Sequence, residues 1–334
     1  MTISGIGQDG YVRIQKETTW GTGVTSSMTE IPCLPSSTFT AVDENIENEN
    51  IVSKRTKPTP DKGRGIVKFS MQFNVPFSLM GLVMNLFLGA SSDATVVDST
   101  YVHTWLTPIT GLRVGKSFTM QVAKGNATAE QFVGCVIGSY KLGLDNQGQA
   151  IITLEGAAKS YTEGVARVTT FAYPTAIPAN FSNAVLNLDN GSDAAFNQPC
   201  NSIELSVELG LELERFKTGS RFTSEPIFNT IPTVALTCNI DADRQFPVAA
   251  HAQTSYAMTL VLTSTENAAG TTVYLIEHEI PVAQLNPETD IPYENDNLSM
   301  DLEFECSYGG TTTGSGTDEV AAEVRVKDAT AAYA

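Results

Sequence analysis

The sequence predicts a mainly β protein built from two tandem β-sandwich or small-barrel domains, each with a flanking helix. Three observations predict it. Apolar residues recur with period two in one run after another, the mark of half-buried strands. Turn formers are abundant, with 26 Gly in 334 residues. The order of elements in the first half also comes round again in the second. The domains are expected at residues 1–165 and 181–334, the second ending in a C-terminal arm, with a Pro-, Ala- and Thr-rich linker over 166–180.

In chain order, the first half offers strands at Tyr11–Gln15 and Ser37–Val42, a polar loop, then strands at Ile66–Phe73, Tyr101–Trp105, Phe118–Val122, Gln131–Leu144 and Ala150–Ala157. A helix is expected from Pro76 to Leu88. Proline suits a first turn, Gly89 suits the stop, and side chains apolar nearly all round call for burial on more than one side. The second half offers Ala184–Leu188, then Ile203–Leu213. There Ile203, Leu205, Val207, Leu209, Leu211 and Leu213 alternate with Glu204, Ser206, Glu208, Gly210, Glu212 and Glu214. A polar loop through Phe228 follows, then strands at Thr233–Ile240, Tyr256–Leu262, Thr272–Leu285 and Leu298–Cys306, with a short helix near Phe246–Gln253. Aligning the halves sets Val234 against Val67 and Leu302 against Leu154.

Composition narrows the function. The net charge is −17, and a surface that acidic repels phosphate, which argues against binding nucleic acid through its backbone. Five cysteines, odd in number and without a CxxC pair, read as free thiols from a reducing compartment. Met1–Gly10 has neither a basic start nor an apolar run, so no secretory leader is expected. The most apolar stretch, Val75–Ala90, is too short to span a bilayer.

No constellation for catalysis emerges, and no cofactor or metal is expected. Gly115-Lys116-Ser117 imitates a phosphate-binding loop, but Gly111 stands one residue too close and the segment leads into a strand. His278-Glu279 lacks the second histidine of a zinc helix, and His103 and His251 stand apart. Asp189-Asn190-Gly191 reads as a turn rather than a calcium loop.

Two charged features remain. The acids Glu204, Glu208 and Glu212 on one strand face form either a solvated sheet surface or a surface placed to repel an anion. The polar loop carries Asp43, Glu44, Glu47 and Glu49, followed by Lys54, Arg55, Lys57, Lys62 and Arg64. Acids followed by bases suit head-to-tail contact between identical subunits.

The opening Gly10-Tyr11-Val12-Arg13-Ile14-Gln15-Lys16-Glu17-Thr18-Thr19-Trp20-Gly21-Thr22-Gly23-Val24 resembles the start of tail tube proteins of long-tailed bacteriophages. The acid-then-base loop, Gly65 opening its strand, Tyr101-Val102-His103-Thr104 and Phe132–Ile137 follow in the family's order. The resemblance covers most of the first half and, more loosely, Ile203–Ile240. It implies a non-enzymatic structural subunit of the virion tail, assembled in the host cytoplasm. Subunits would form rings whose inner sheets join into one β-barrel around a lumen, and the rings would stack into a tube that delivers DNA. Single-domain members form hexamers, so two domains in tandem imply homotrimeric, pseudo-hexameric rings. Implied partners are further copies of the chain, the tape measure protein, and the tail tip and tail completion proteins. Double-stranded DNA would pass only in transit, and no membrane is involved. On this reading the Asp43–Arg64 loop stacks rings, and Glu204, Glu208 and Glu212 face the lumen. The alternative is a virion decoration or receptor-binding β-sandwich.

Overall fold

The computed structural model describes residues 10–47, 60–89, 91, 95–97, 100–107, 116–125, 128–145, 148–173, 178–191, 196–241, 243, 245–289, 299–312, 319–331 and 333. The first half contributes β1 (Tyr11–Lys16), β2 (Thr29–Ile31), β3 (Thr38–Ile46), β4 (Asp61–Asn74), α1 (Met80–Leu88), β5 (Thr95–Val97), β6 (Thr100–Leu106), β7 (Phe118–Ala123), β8 (Thr128–Asp145), β9 (Ile151–Ala157) and β10 (Ser160–Ala166). The second contributes β11 (Ala184–Asp189), β12 (Phe196–Asn197), β13 (Ser202–Glu208), β14 (Leu211–Glu212), β15 (Ile227–Phe228), β16 (Thr233–Asp241), α2 (Gln245–His251), β17 (Ser255–Ala269), β18 (Thr272–Leu285), β19 (Ser299–Cys306) and β20 (Glu323–Asp328).

The pairings recur between the halves. In the first half β1 pairs with β2 and β7, β4 with β3 and β9, and β8 with β7, β9 and β10. In the second half β11 pairs with β12 and β17, β16 with β13 and β19, and β18 with β17, β19 and β20. All are antiparallel. The register agrees with the sequence alignment: Met71 faces Leu154 as Cys238 faces Leu302.

Two seams join the halves into one sheet. At one, β8 pairs with β13 from Ser139↔Glu208 to Asp145↔Ser202. At the other, β6 pairs with β20. Strand β8 is long enough to serve four partners. Its first part lies between β7 and β10, and its second part between β9 and β13. A bulge between Ile137 and Ser139, and Gly134 at φ +68°, bend it between the two tasks.

Helix α1 packs on the sheet with Val83, Met84, Phe87 and Leu88 buried. Its outer side is covered by the C-terminal tail: the Tyr333 ring fills the space a side chain at Gly81 would occupy, and Asn85 Nδ2 donates to the Tyr333 carbonyl at 3.0 Å. Hence the helix is apolar nearly all round. Gly89, at φ +95°, ends it and accepts a hydrogen bond from Trp105 Nε1 at 3.1 Å.

The conspicuous opening motif is organised by Glu17, a buried carboxylate. It accepts hydrogen bonds from the Gly21 and Gly134 backbone N–H groups and from the Thr119 hydroxyl, at 2.8, 2.8 and 2.9 Å. Lys159 lies over the Trp20 ring at 4.7 Å, closing the same corner. Deeper in the core, the Tyr140 hydroxyl sits 3.2 Å from Nε2 of buried His278, and desolvation pulls that imidazole down to about 4.

Two outcomes follow from these buried groups. Glu17→Ala leaves three donors unpaired, two of them buried, and should cost about 3 kcal/mol in chemical denaturation. His278 is held neutral, so its contribution is complete above its unfolded pKa near 6.5 and declines as the pH falls towards 4. The full loss is about 3 kcal/mol. The urea midpoint of His278→Leu should therefore fall less between pH 7.5 and 4.5 than that of the unsubstituted chain; parallel slopes would contradict this.

Candidate functional site: the polar face of the continuous sheet

Alternation sorts the side chains of the seamed sheet. Leu142, Leu205, Leu236 and Phe304 occupy neighbouring positions across β8, β13, β16 and β19, and all are buried. The next row, Gly143, Glu204, Thr237 and Glu303, points the other way. Asp145, Ser202, Asn239 and Asp301 form a parallel polar row, and Ser70, Glu155, Ser139 and Glu208 another. Asp241 and Glu305 lie on this face as well. Against these carboxylates the rows hold Lys68 and Lys141, while Ser, Thr, Asn and Gln fill most other positions.

Local contacts hold the charges in place. Lys141 Nζ meets Glu204 at 2.6 Å, Asn239 Nδ2 donates to Asp301 at 2.7 Å, and Asn286 Nδ2 donates to Glu303 at 3.1 Å. A shallow groove runs between Asp145, Glu204, Asp301 and Glu303. Chemically this is a net anionic surface with an open groove.

Glu204 and Glu208 thus lie on the polar face. Glu212 reaches it by another route, which corrects the expected single strand over Ile203–Leu213. Strand β13 stops at Glu208. Gly210 turns at φ +64° against Thr230, whose N–H bonds the Gly210 carbonyl at 3.2 Å. Glu212 then belongs to the small β14–β15 hairpin. Leu213 folds onto Gly138, and Glu214 pairs with Lys68, so this excursion lies over the β4–β9 part of the face.

The acid-then-base loop is the connection of the β3–β4 hairpin. Asp43 and Glu44 stand on one arm and Lys62 and Arg64 on the other, with Glu47 just beyond β3. Glu49, Lys54, Arg55 and Lys57 lie outside the described residues. The arms are braced from the second half. Asp43 meets Arg221 at 2.6 Å and Lys62 at 3.9 Å, the Gly65 N–H donates to the Arg221 carbonyl at 2.8 Å, and the Arg64 guanidinium lies 5.1 Å over Phe216. These charges find partners within one chain. The bracing segment belongs to the β13–β16 connection, the second-half counterpart of the β3–β4 connection.

A family model described as phage tail tube protein matches residues 7–326. The chain belongs to the phage tail tube protein family. No curated protein matches it. As a tail tube protein it is a bacteriophage structural component of the virion tail. The remaining motifs fit into the scaffold of this tube subunit. Lys116 and Ser117 run into β7, His103 and His278 are buried, and His251 ends α2. Among the described residues, no group of three His, Cys, Asp or Glu side chains could hold a metal ion.

Sequence reasoning passed over the acids of β19. Their signal was available: Met300, Leu302 and Phe304 alternate with Asp301, Glu303 and Glu305 as cleanly as the β13 stripe does. The bend at Gly210 yields a direct test. In Gly210→Val the new Cβ would approach the Thr230 carbonyl oxygen to 2.6 Å at a backbone angle L-residues avoid. The variant should lose about 2 kcal/mol or more, read as a lower urea midpoint.

Proposed function

We propose that three copies of this tail tube protein close a ring, that the acidic face lines its lumen, and that stacked rings form the conduit for DNA. The observation that carries the reading is the β8–β13 seam, together with the repeated pairings around it. Each half presents the same sheet, made in the first from β3, β4, β9 and β8 and in the second from β13, β16, β19 and β18. Strand β3 is the counterpart of β13. Among the described residues its only strand partner is β4, so its outer edge stands open. A neighbouring copy would cover it from its second half, as β8 covers β13 within the chain. Two equivalent sectors per copy then close a six-sector ring with three chains, and closure removes the open edge.

The charge follows from the task. DNA in transit must not stick, and a wall of carboxylates offers its phosphates no counter-charge. Stacking is assigned to the β3–β4 hairpin, which carries Asp43, Glu44, Glu47, Glu49, Lys54, Arg55, Lys57, Lys62 and Arg64. The bracing β13–β16 connection would share the task. The tape measure, tip and completion proteins would meet the tube inside and at its ends, after assembly in the host cytoplasm.

Concentrated protein imaged by negative-stain electron microscopy should give hollow rods or stacked rings with threefold averages; persistently discrete particles would oppose the reading. Replacing Glu204, Glu208 and Glu212 together with Lys should leave tube assembly intact while DNA delivery by reconstituted tails falls at least tenfold. Unchanged delivery would overturn the lumen assignment. Deleting Lys54–Lys62 should leave single rings and abolish long tubes, and normal tubes from that deletion would overturn the stacking role.

A further inference from the structure

Asn190-Gly191 is the one Asn-Gly step in the sequence. It stands where the chain leaves β11 at Asp189. Gly191 is exposed and sits at φ +71°, a backbone angle that glycine adopts at no steric cost. Nothing lies within 4 Å of the place a Cβ on Gly191 would take, so its backbone nitrogen is unshielded on that side. The Gly191 N–H donates to Asp189 Oδ1 at 2.8 Å, closing an Asx turn. That nitrogen is the one backbone nitrogen that reaches Cγ of Asn190 through a five-membered ring. The Asp189 carboxylate therefore holds the proton that the nitrogen must lose in order to attack.

The step Asn201-Ser202 offers a contrast. Asn201 Nδ2 donates to Asn239 Oδ1 at 3.1 Å, and Ser202 begins β13, paired with Asn239 on one side and Asp145 on the other. Ladder pairing on both edges fixes that backbone, and no carboxylate of its own turn faces the Ser202 nitrogen.

We propose that Asn190 is a self-modification site, at which the folded chain converts asparagine to aspartate and isoaspartate with Asp189 as the base and water as the co-reactant. The Gly191 nitrogen bonds to Cγ of Asn190 while its proton passes to the Asp189 carboxylate. The tetrahedral carbon then expels the side-chain nitrogen, which takes the proton from Asp189 and leaves as ammonia. A succinimide now joins residues 190 and 191. Water that breaks the Cγ–N bond leaves aspartate. Water that breaks the bond from the same nitrogen to the Asn190 main-chain carbonyl carbon leaves isoaspartate, whose main chain runs through Cβ and Cγ. No electrons are gained or lost. Either product adds one negative charge, and isoaspartate also lengthens the main chain between β11 and β12 by one carbon atom.

The test incubates the folded protein for several days in warm, near-neutral buffer. Intact mass should rise by the difference between an amide and an acid, and ammonia should appear in equal amount. Peptide mapping should place aspartate and isoaspartate at position 190, and Asn190→Gln should abolish the change. Asp189→Asn keeps an acceptor for the Gly191 N–H but removes the base, so the rate in the folded protein should fall about tenfold or more. Asp189→Ser gives the same readout if the asparagine variant misfolds. In urea, where the turn is lost, the substituted and unsubstituted chains should react alike. An unchanged mass, a first modification at another asparagine, equal rates with and without Asp189 in the folded protein, or a rate difference that persists in urea would each overturn the proposal.

Discussion

Backbone groups in a sheet need partners along both edges, and β8 is the strand on which that demand is greatest. Eighteen residues long, it cannot be satisfied by its own half alone. β7 and β10 cover its beginning, and β9 covers one edge of its end. The other edge would be a row of unpaired N–H and C=O groups, a template for aggregation. Strand β13 takes it. With the β6–β20 pairing, that junction turns two repeated halves into one sheet, and it aligns their polar faces into one surface.

The surface then inherits a consequence of period-two geometry. Once register is fixed, every second residue of β8, β13, β16 and β19 shares a face, so acids distant in sequence become neighbours in space. Like charges arranged this way repel and raise the local potential. Exposed charges in water interact weakly, and salt screens them within about 10 Å, so the sheet tolerates the arrangement. Lys141 relieves Glu204 directly, and Asn239 and Asn286 hold the β19 acids by hydrogen bonds that add no charge. The face remains net negative with few compensating bases.

Much of this was legible in the sequence, because its signals are local. The β13 stripe, the α1 segment with Gly89 at its end, and the repeated order of strands all follow from periodicity and punctuation. Strand ends were harder. Ile203–Leu213 keeps perfect alternation, yet Gly210 breaks it to meet Thr230, a contact set by tertiary structure. The opening motif could be recognised but not explained, since Glu17 finds its donors at Gly134 and Thr119, more than a hundred residues away. The bracing of Asp43 by Arg221 is hidden for the same reason. Charge order along the chain says which groups could pair, whereas the fold decides which do.

The two halves are alike in pairing but unequal in how they are joined, and the inequality bears on assembly. Between α1 and β7 the first half inserts the β5–β6 hairpin, whereas only three residues separate α2 from β17. Strand β6 pairs with β20 on the far side of the core, and the tail beyond β20 returns to cover α1. His103 fixes that return by a 2.7 Å contact with the Thr330 carbonyl. The seam within a chain is therefore made twice, by β8–β13 and by β6–β20. In the proposed ring, a seam between copies lacks the second join, because α2 runs into β17 with no hairpin between them. The joint within each chain is then the stronger one, so each copy sets as a rigid double sector before the weaker edges meet. In that ring, closure would be the docking of finished parts at the β3 edge, where among the described residues β4 is the one strand partner.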